Sequence, residues 1–229
     1  MISNASRWLE LLAEALQILD AVPEGKLPSS PPWTLGGGTA LALQIDHRIS
    51  YDIDLFVPGA SLMAFRPPAN EAAAVLTARP DVRWQHPGHY LKYELPIGEI
   101  DFLSPALQTE NGWSTIEIAG RDVAIETPVE IVVKKVRYRA GKLKARDVFD
   151  IACVVASGYD LEAAFRSYVP DAVPVASQAL DRLYALQGGE SVERDVAPTK
   201  NGRPHVQNAM SSVRGLFDRV MTVSDVPRP

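Results

Sequence analysis

The sequence predicts an α+β fold: a mixed sheet with flanking helices, followed by an all-helical C-terminal half. Two observations carry this. Trp33 to Val57 reads as strand, glycine turn, helix, strand. Near Thr127 the apolar period then changes from 2 to 3.6, as Val129, Val132, Val133 and Val136 recur at helical spacing where strand signals stop. The boundary predicts one domain over 1–126 and a helical domain over 127–229 that completes the active site.

The elements follow in order. "SRWLELLAEALQIL" is an amphipathic helix with Trp8, Leu11, Leu12, Ala15, Leu16 and Leu19 on one face and Ser3 or Asn4 as cap. A proline- and serine-rich loop leads to the strand "WTLGG", a helix starting at Thr39 and the strand "YDIDLFV". A helix follows Pro67 and Pro68. "HYLKYEL" alternates as a half-buried strand does, "IGEIDFL" is another strand, and "STIEIAGRDVAIET" is a hairpin turning at Ala119 to Asp122. Thr127, Pro128 and Glu130 form a helix start. Further helices cover "RDVFDIACVVA", "DLEAAFRSYV" and about Val206 to Met221, with a polar loop before the last and a frayed end at "SDVPRP".

Composition narrows the class. With 46% hydrophobic and 22% charged residues the chain can build an ordinary core. It has neither an apolar run of membrane-spanning length nor a signal-peptide pattern, so a soluble cytoplasmic protein is expected. The single cysteine, Cys153, lies in an apolar helix and reads as core. A formal net charge of −5 argues against broad attraction to nucleic acid. Lys134 to Arg146 nevertheless holds seven basic residues and no acidic one, which suits either a phosphate-directed patch or a solvated helix face.

The chemistry concentrates in Leu35 to Phe56, "LGGGTALALQIDHRISYDIDLF". Strand alternation puts Asp52 and Asp54 on one face, and pairing with "EIDFL" brings Asp101 to the same place. Three carboxylates with no strand lysine between them call for a divalent cation, and oxygen ligands suit Mg²⁺ or Mn²⁺. Beside them, the backbone N–H groups of a glycine turn opening a helix can hold phosphate oxygens.

This arrangement resembles the DNA polymerase β-like nucleotidyltransferases. "GGTALAL", "HRISYDIDLF", "TPVEIVVKKVRYR" and "KARDVFDIA" are similar, in that order, to motifs of the AbiEii/AbiGii toxin family. The resemblance implies a nucleotidyltransferase fold and a metal-dependent toxin of a bacterial toxin–antitoxin or phage-defence system. Such an enzyme moves NMP from an NTP to an acceptor such as the tRNA 3′ end, and has a cognate antitoxin. It implies that Gly37, Gly38 and Thr39 contact the phosphates, that Asp52 and Asp54 bind metal, and that Asp101 is the third acid and general base. Lys135 matches the helical lysine. Arg146, Asp147 and Asp150 match the last block, where they could share one helix face near the site or form an internal Arg–Asp network. Arg48 and Ser50 are placed to orient phosphate or acid groups, and His47 reads as structural. Asp46 stands where family members often have glycine. A protein hydroxyl or an aminoglycoside-like small molecule is an alternative acceptor, and a non-catalytic interaction protein with a degenerate site is a third reading.

Overall fold

A computed structural model describes residues 6–23, 25–27, 30–187, 192 and 195–222. The expected caps Ser3 and Asn4, part of the polar loop after Gln187 and the "SDVPRP" end lie outside the described residues. The chain divides into two compact units. The first takes in Met1–Ala40, Ser50–Leu107 and Trp113–Glu126, and the second Leu41–Ile49, Gln108–Gly112 and Thr127–Pro229.

A seven-stranded mixed sheet builds the first unit. Its strands are β1 (Thr34–Gly36), β2 (Ile53–Phe56), β3 (Arg83–Gln85), β4 (Tyr90–Leu95), β5 (Gly98–Leu103), β6 (Trp113–Ile118) and β7 (Arg121–Glu126). They lie in the order β3-β4-β5-β2-β1-β7-β6. β2 pairs with β5, and β1 with β7, in parallel; the other neighbours are antiparallel. Alternation decides burial as expected in β4, where Leu91, Tyr93 and Leu95 are buried and Tyr90, Lys92 and Glu94 are not. Helix α1 (Trp8–Asp20) buries Trp8, Leu11, Leu12, Ala15, Ile18 and Leu19; Ile18 belongs to the stripe and Leu16 is only half-buried. Helix α3 (Glu71–Thr77) is capped by Asn70, whose Oδ1 accepts from the Ala73 amide at 2.9 Å. The three-residue strand β3 and a 3-10 segment over Gly59–Phe65 have no periodic signal in the sequence and are too short to give one.

The second unit is helical: α4 (Pro128–Arg139), α5 (Ala145–Ala156), α6 (Leu161–Tyr168), α7 (Val173–Gln187) and α8 (Ala209–Thr222). No strand follows Glu126 among the described residues, which is the expected change of period. α8 packs against α5, α6 and α7, with Phe165 and Phe217 rings 6.2 Å apart. Thr127 caps α4, accepting from the Glu130 amide at 3.3 Å, with Pro128 in the first turn. The valine stripe understates how deep α4 lies. Glu130, Ile131, Lys134 and Lys135 are buried along with Val132, Val133 and Val136, while Val129 is half-buried. Charge can be buried there because it is paired. Glu130 accepts from the Gln108 and Thr109 amides, both at 2.9 Å, and from Thr109 Oγ1 at 2.7 Å, and lies 3.5 Å from Lys134. Helix α2 (Gly37–Ile45) starts on the glycines themselves and runs from the first unit into the second.

Candidate active site

Within the first unit the acids are set by strand register. Asp54 on β2 stands opposite Asp101 on β5, and Gly36 on β1 stands opposite Asp54. Asp52 precedes β2 instead of belonging to it, and its Oδ1 accepts a hydrogen bond from the Glu99 amide at 3.1 Å. Thr39, fully buried, donates its hydroxyl to the Asp52 carbonyl. Gly37 has φ +65°, and a Cβ there would overlap the Asp54 carboxylate. The glycine turn and the acids are therefore in contact, and only a residue without a side chain fits between them.

No lysine stands between Asp54 and Asp101, but one flanks them. Lys92 on β4 stands opposite Asp101 on the side away from Asp54, with Nζ 3.5 Å from Asp101 Oδ2 and in contact with Glu99. Lys92 is solvent-side in the sequence pattern, and only the β4–β5 register brings it here. Burial, then the charge of Asp54, pushes the Asp101 carboxyl up to about 7, against the pull of Lys92. Asp101 Oδ1 is buried without a hydrogen-bond partner among the described residues. No three carboxylate, imidazole or thiolate groups among those residues stand ready to hold a metal ion. Even so, an unsatisfied buried carboxylate oxygen with a second carboxylate in the next strand is a donor set that a hard divalent cation fits.

The second unit holds a buried charge network. Arg48 reaches Asp150 through Nε at 2.6 Å and Nη2 at 3.0 Å, His47 Nε2 lies 2.7 Å from Asp150 Oδ1, and Lys135 Nζ lies 3.0 Å from Oδ2. Lys135 also bonds Asp147 at 2.8 Å, as does Arg139. Burial pushes the Asp150 carboxyl up, but the charges of Arg48 and Lys135 and the His47 hydrogen bond outweigh it and hold the group well below the usual carboxylate range. Asp147 and Asp150 are fully buried while Arg146 is exposed, so the three do not share a face. The arginines that bond these two aspartates are Arg48 and Arg139, not Arg146. His47 stacks on Phe149 with ring centroids 5.8 Å apart. Ser50 is buried, and its carbonyl accepts from the Ser6 hydroxyl.

A family described as "Nucleotidyl transferase AbiEii toxin, Type IV TA system" matches residues 19–181, well over half of the chain. The chain belongs to the AbiEii toxin family. It is a nucleotidyltransferase, with an NTP as substrate and an antitoxin as the partner that a type IV system implies. Among curated proteins none matches significantly. Among solved structures, that of JHP933 from Helicobacter pylori aligns with a TM-score of 0.51 at 14% identity, covering 97% of this chain and 94% of that one. The crystal structure of ANT(2")-Ia in complex with adenylyl-2"-tobramycin aligns with a TM-score of 0.47 at 21% identity, covering 69% and 98%. The first of these shows a shared fold. No helix among the described residues of the toxin is long and apolar enough to cross a membrane.

Two features of this AbiEii-family toxin escaped the sequence reading. The segment 196–202 forms a strap over the loop 46–49. Pro198 bridges Arg48, the Ile49 amide donates to Ala197 O at 2.9 Å, and the Thr199 amide donates to His47 O at 3.1 Å. Thr199 Oγ1 donates to Asp46 O, Asn201 Nδ2 donates to Asp46 Oδ2 at 3.0 Å, and a Cβ on Gly202 would overlap the His47 carbonyl. Asp46 itself has φ +45°, the left-handed conformation glycine would supply, and aspartate is among the few residues that tolerate it. Second, Glu126 is fully buried at the end of β7, where it accepts from Thr34 Oγ1 at 2.8 Å and crowds Gly36. The basic segment of the toxin is also not one surface. Lys134 and Lys135 are buried, Arg139 is bound to Asp147, and Arg137 is exposed but donates to Tyr168 O; Lys142, Lys144 and Arg146 are exposed as well.

Proposed function

We propose that the toxin transfers NMP from an NTP to the 3′ end of a tRNA and releases pyrophosphate. The in-register pair Asp54 and Asp101 beside the glycine turn, with a buried and unsatisfied Asp101 oxygen, is the observation that carries this reading. Asp52, Asp54 and Asp101 would hold Mg²⁺ or Mn²⁺ in the two-metal manner. When bound, such ions neutralise triphosphate charge and act as Lewis acids. The amides of Gly37, Gly38 and Thr39, at the start of α2, bind phosphate oxygens, and the positive end of that helix favours them. Asp101, whose carboxyl sits near 7, takes the proton of the acceptor hydroxyl as its oxygen attacks the α-phosphorus. The bond from that phosphorus to the bridging oxygen breaks, and pyrophosphate leaves with the electron pair.

Lys135, Asp147, Asp150 and Arg48 act by position in this reading, since their charges are satisfied by one another. Arg146, together with Lys142 and Lys144, offers phosphate contacts to the RNA. Incubating the toxin with Mg²⁺, each α-labelled NTP, total tRNA and no other protein tests the proposal. Label in tRNA supports it, label in the toxin alone points to a protein hydroxyl as acceptor, and no label from any NTP overturns it. In the RNA-binding arm, Lys142, Lys144 and Arg146 replaced by alanine should lower the log–log salt slope by about 2 units. An unchanged slope would remove RNA contact from these residues.

A further inference from the structure

We propose that Lys92 is a resident counter-cation of the acid cluster, a positioning residue that competes with the divalent ion and so sets the metal concentration at which the toxin becomes active. The inference rests on the reading of Asp54 and Asp101 as metal-holding acids. Across the sheet the residues form one row, Lys92 on β4, Asp101 on β5 and Asp54 on β2, each opposite the next. Lys92 Nζ is 3.5 Å from Asp101 Oδ2 and also contacts Glu99. The side chains of Lys92 and Asp101 are only 19% and 18% exposed, so water screens their attraction poorly.

Lys92 neutralises the cluster incompletely. It carries one charge, it is shared with Glu99, and it leaves Asp101 Oδ1 without a partner. A divalent ion brings twice the charge and fills that oxygen, so it displaces the ammonium from Asp101. The flexible four-carbon stem lets the ammonium leave Asp101 while it keeps its contact with Glu99, which is 40% exposed. Glu99 thus holds Lys92 before and after the move, and its backbone amide holds Asp52. The metal-free toxin keeps Lys92 beside Asp101, and gives up that contact when the metal arrives.

The test is titration of Mn²⁺ alone, with free ion read by electron paramagnetic resonance, against the wild-type chain and Lys92→Met, Lys92→Gln, Lys92→Arg and Asp101→Asn. Removing the repulsion between Lys92 and a divalent ion should tighten Mn²⁺ binding roughly tenfold in Lys92→Met and in Lys92→Gln, which retains hydrogen bonding without charge. Lys92→Arg should stay within about twofold of wild type, and the Mg²⁺ concentration for half-maximal transfer should fall in parallel in the uncharged variants. Thermal melting establishes that each variant is folded, and either uncharged variant suffices. Unchanged or weaker Mn²⁺ binding in a folded, uncharged variant overturns the role of Lys92 while leaving the acid site in place. Mn²⁺ binding that Asp101→Asn does not weaken, or no binding by the wild type, overturns the acid site and this role with it.

Discussion

Gly37 and Asp54 share one space: the turn residue has no side chain because the carboxylate stands where its Cβ would be. The left-handed φ of +65° adds about 1–2 kcal/mol against any L side chain. Gly37→Ala should therefore push Asp54 out of register with Asp101 and lower kcat at least about 10²-fold, the loss also expected of Asp52→Asn and Asp54→Asn. The two asparagine variants should melt at or above the wild-type temperature, since each removes a repelling carboxylate. Label transfer from NTP and circular dichroism melts, made on the same preparations, check both halves. Near wild-type transfer by either asparagine variant would mean that the site lies elsewhere.

The raised Asp101 carboxyl has a stability signature in metal-free protein. Its pKa is about 7 in the folded chain and about 3.9 unfolded, so between those values the folded state binds the extra proton. Its contribution is fully present below about pH 4 and is lost as pH rises through 7, on the order of a few kcal/mol. In EDTA, Asp101→Asn should match wild type near pH 4 and exceed it near pH 8. Urea midpoints at the two pH values measure the difference, and parallel curves would contradict the burial assigned to Asp101.

Asp150 supports the opposite prediction. It is fully buried between Arg48, His47 and Lys135, so Asp150→Ala removes the carboxylate that these groups share, leaves Lys135 with Asp147 alone, and should cost about 3–5 kcal/mol. A drop of about 10 °C in Tm follows for a chain of this size. Differential scanning calorimetry reads it directly.

The strap yields a pair of substitutions with opposite outcomes. Gly202→Ala drives a methyl group into the His47 carbonyl, which is backbone and cannot rotate away, at a cost of about 1–3 kcal/mol. Asp46→Gly keeps the left-handed φ without strain and loses the exposed hydrogen bond from Asn201, so its midpoint should stay within about 1 kcal/mol of wild type. Chemical denaturation of the two variants side by side distinguishes them.

Much of this is legible in the sequence. The period of Leu91, Tyr93 and Leu95 gave β4, the change near Thr127 gave the helical half, and glycine spacing with Asp-Ile-Asp marked the site. What the sequence hid was relational. Lys92 looks like any outward lysine until β4 is laid against β5, and the segment 196–202 looks like a polar loop until it is found against residues 46–49. Periodicity also treated Glu130, Lys134 and Lys135 as the polar side of α4, because it does not see that a charge can be buried by a partner from another segment.

The strap has a temporal consequence. The bonds that join Asp46 to Thr199 and Asn201 link positions 153 and 155 residues apart. During synthesis the loop before the acids therefore stays without its clamp until the segment 196–202 has been made. A nascent chain that stops short of Thr199 therefore has the loop at Asp46 without either of these bonds.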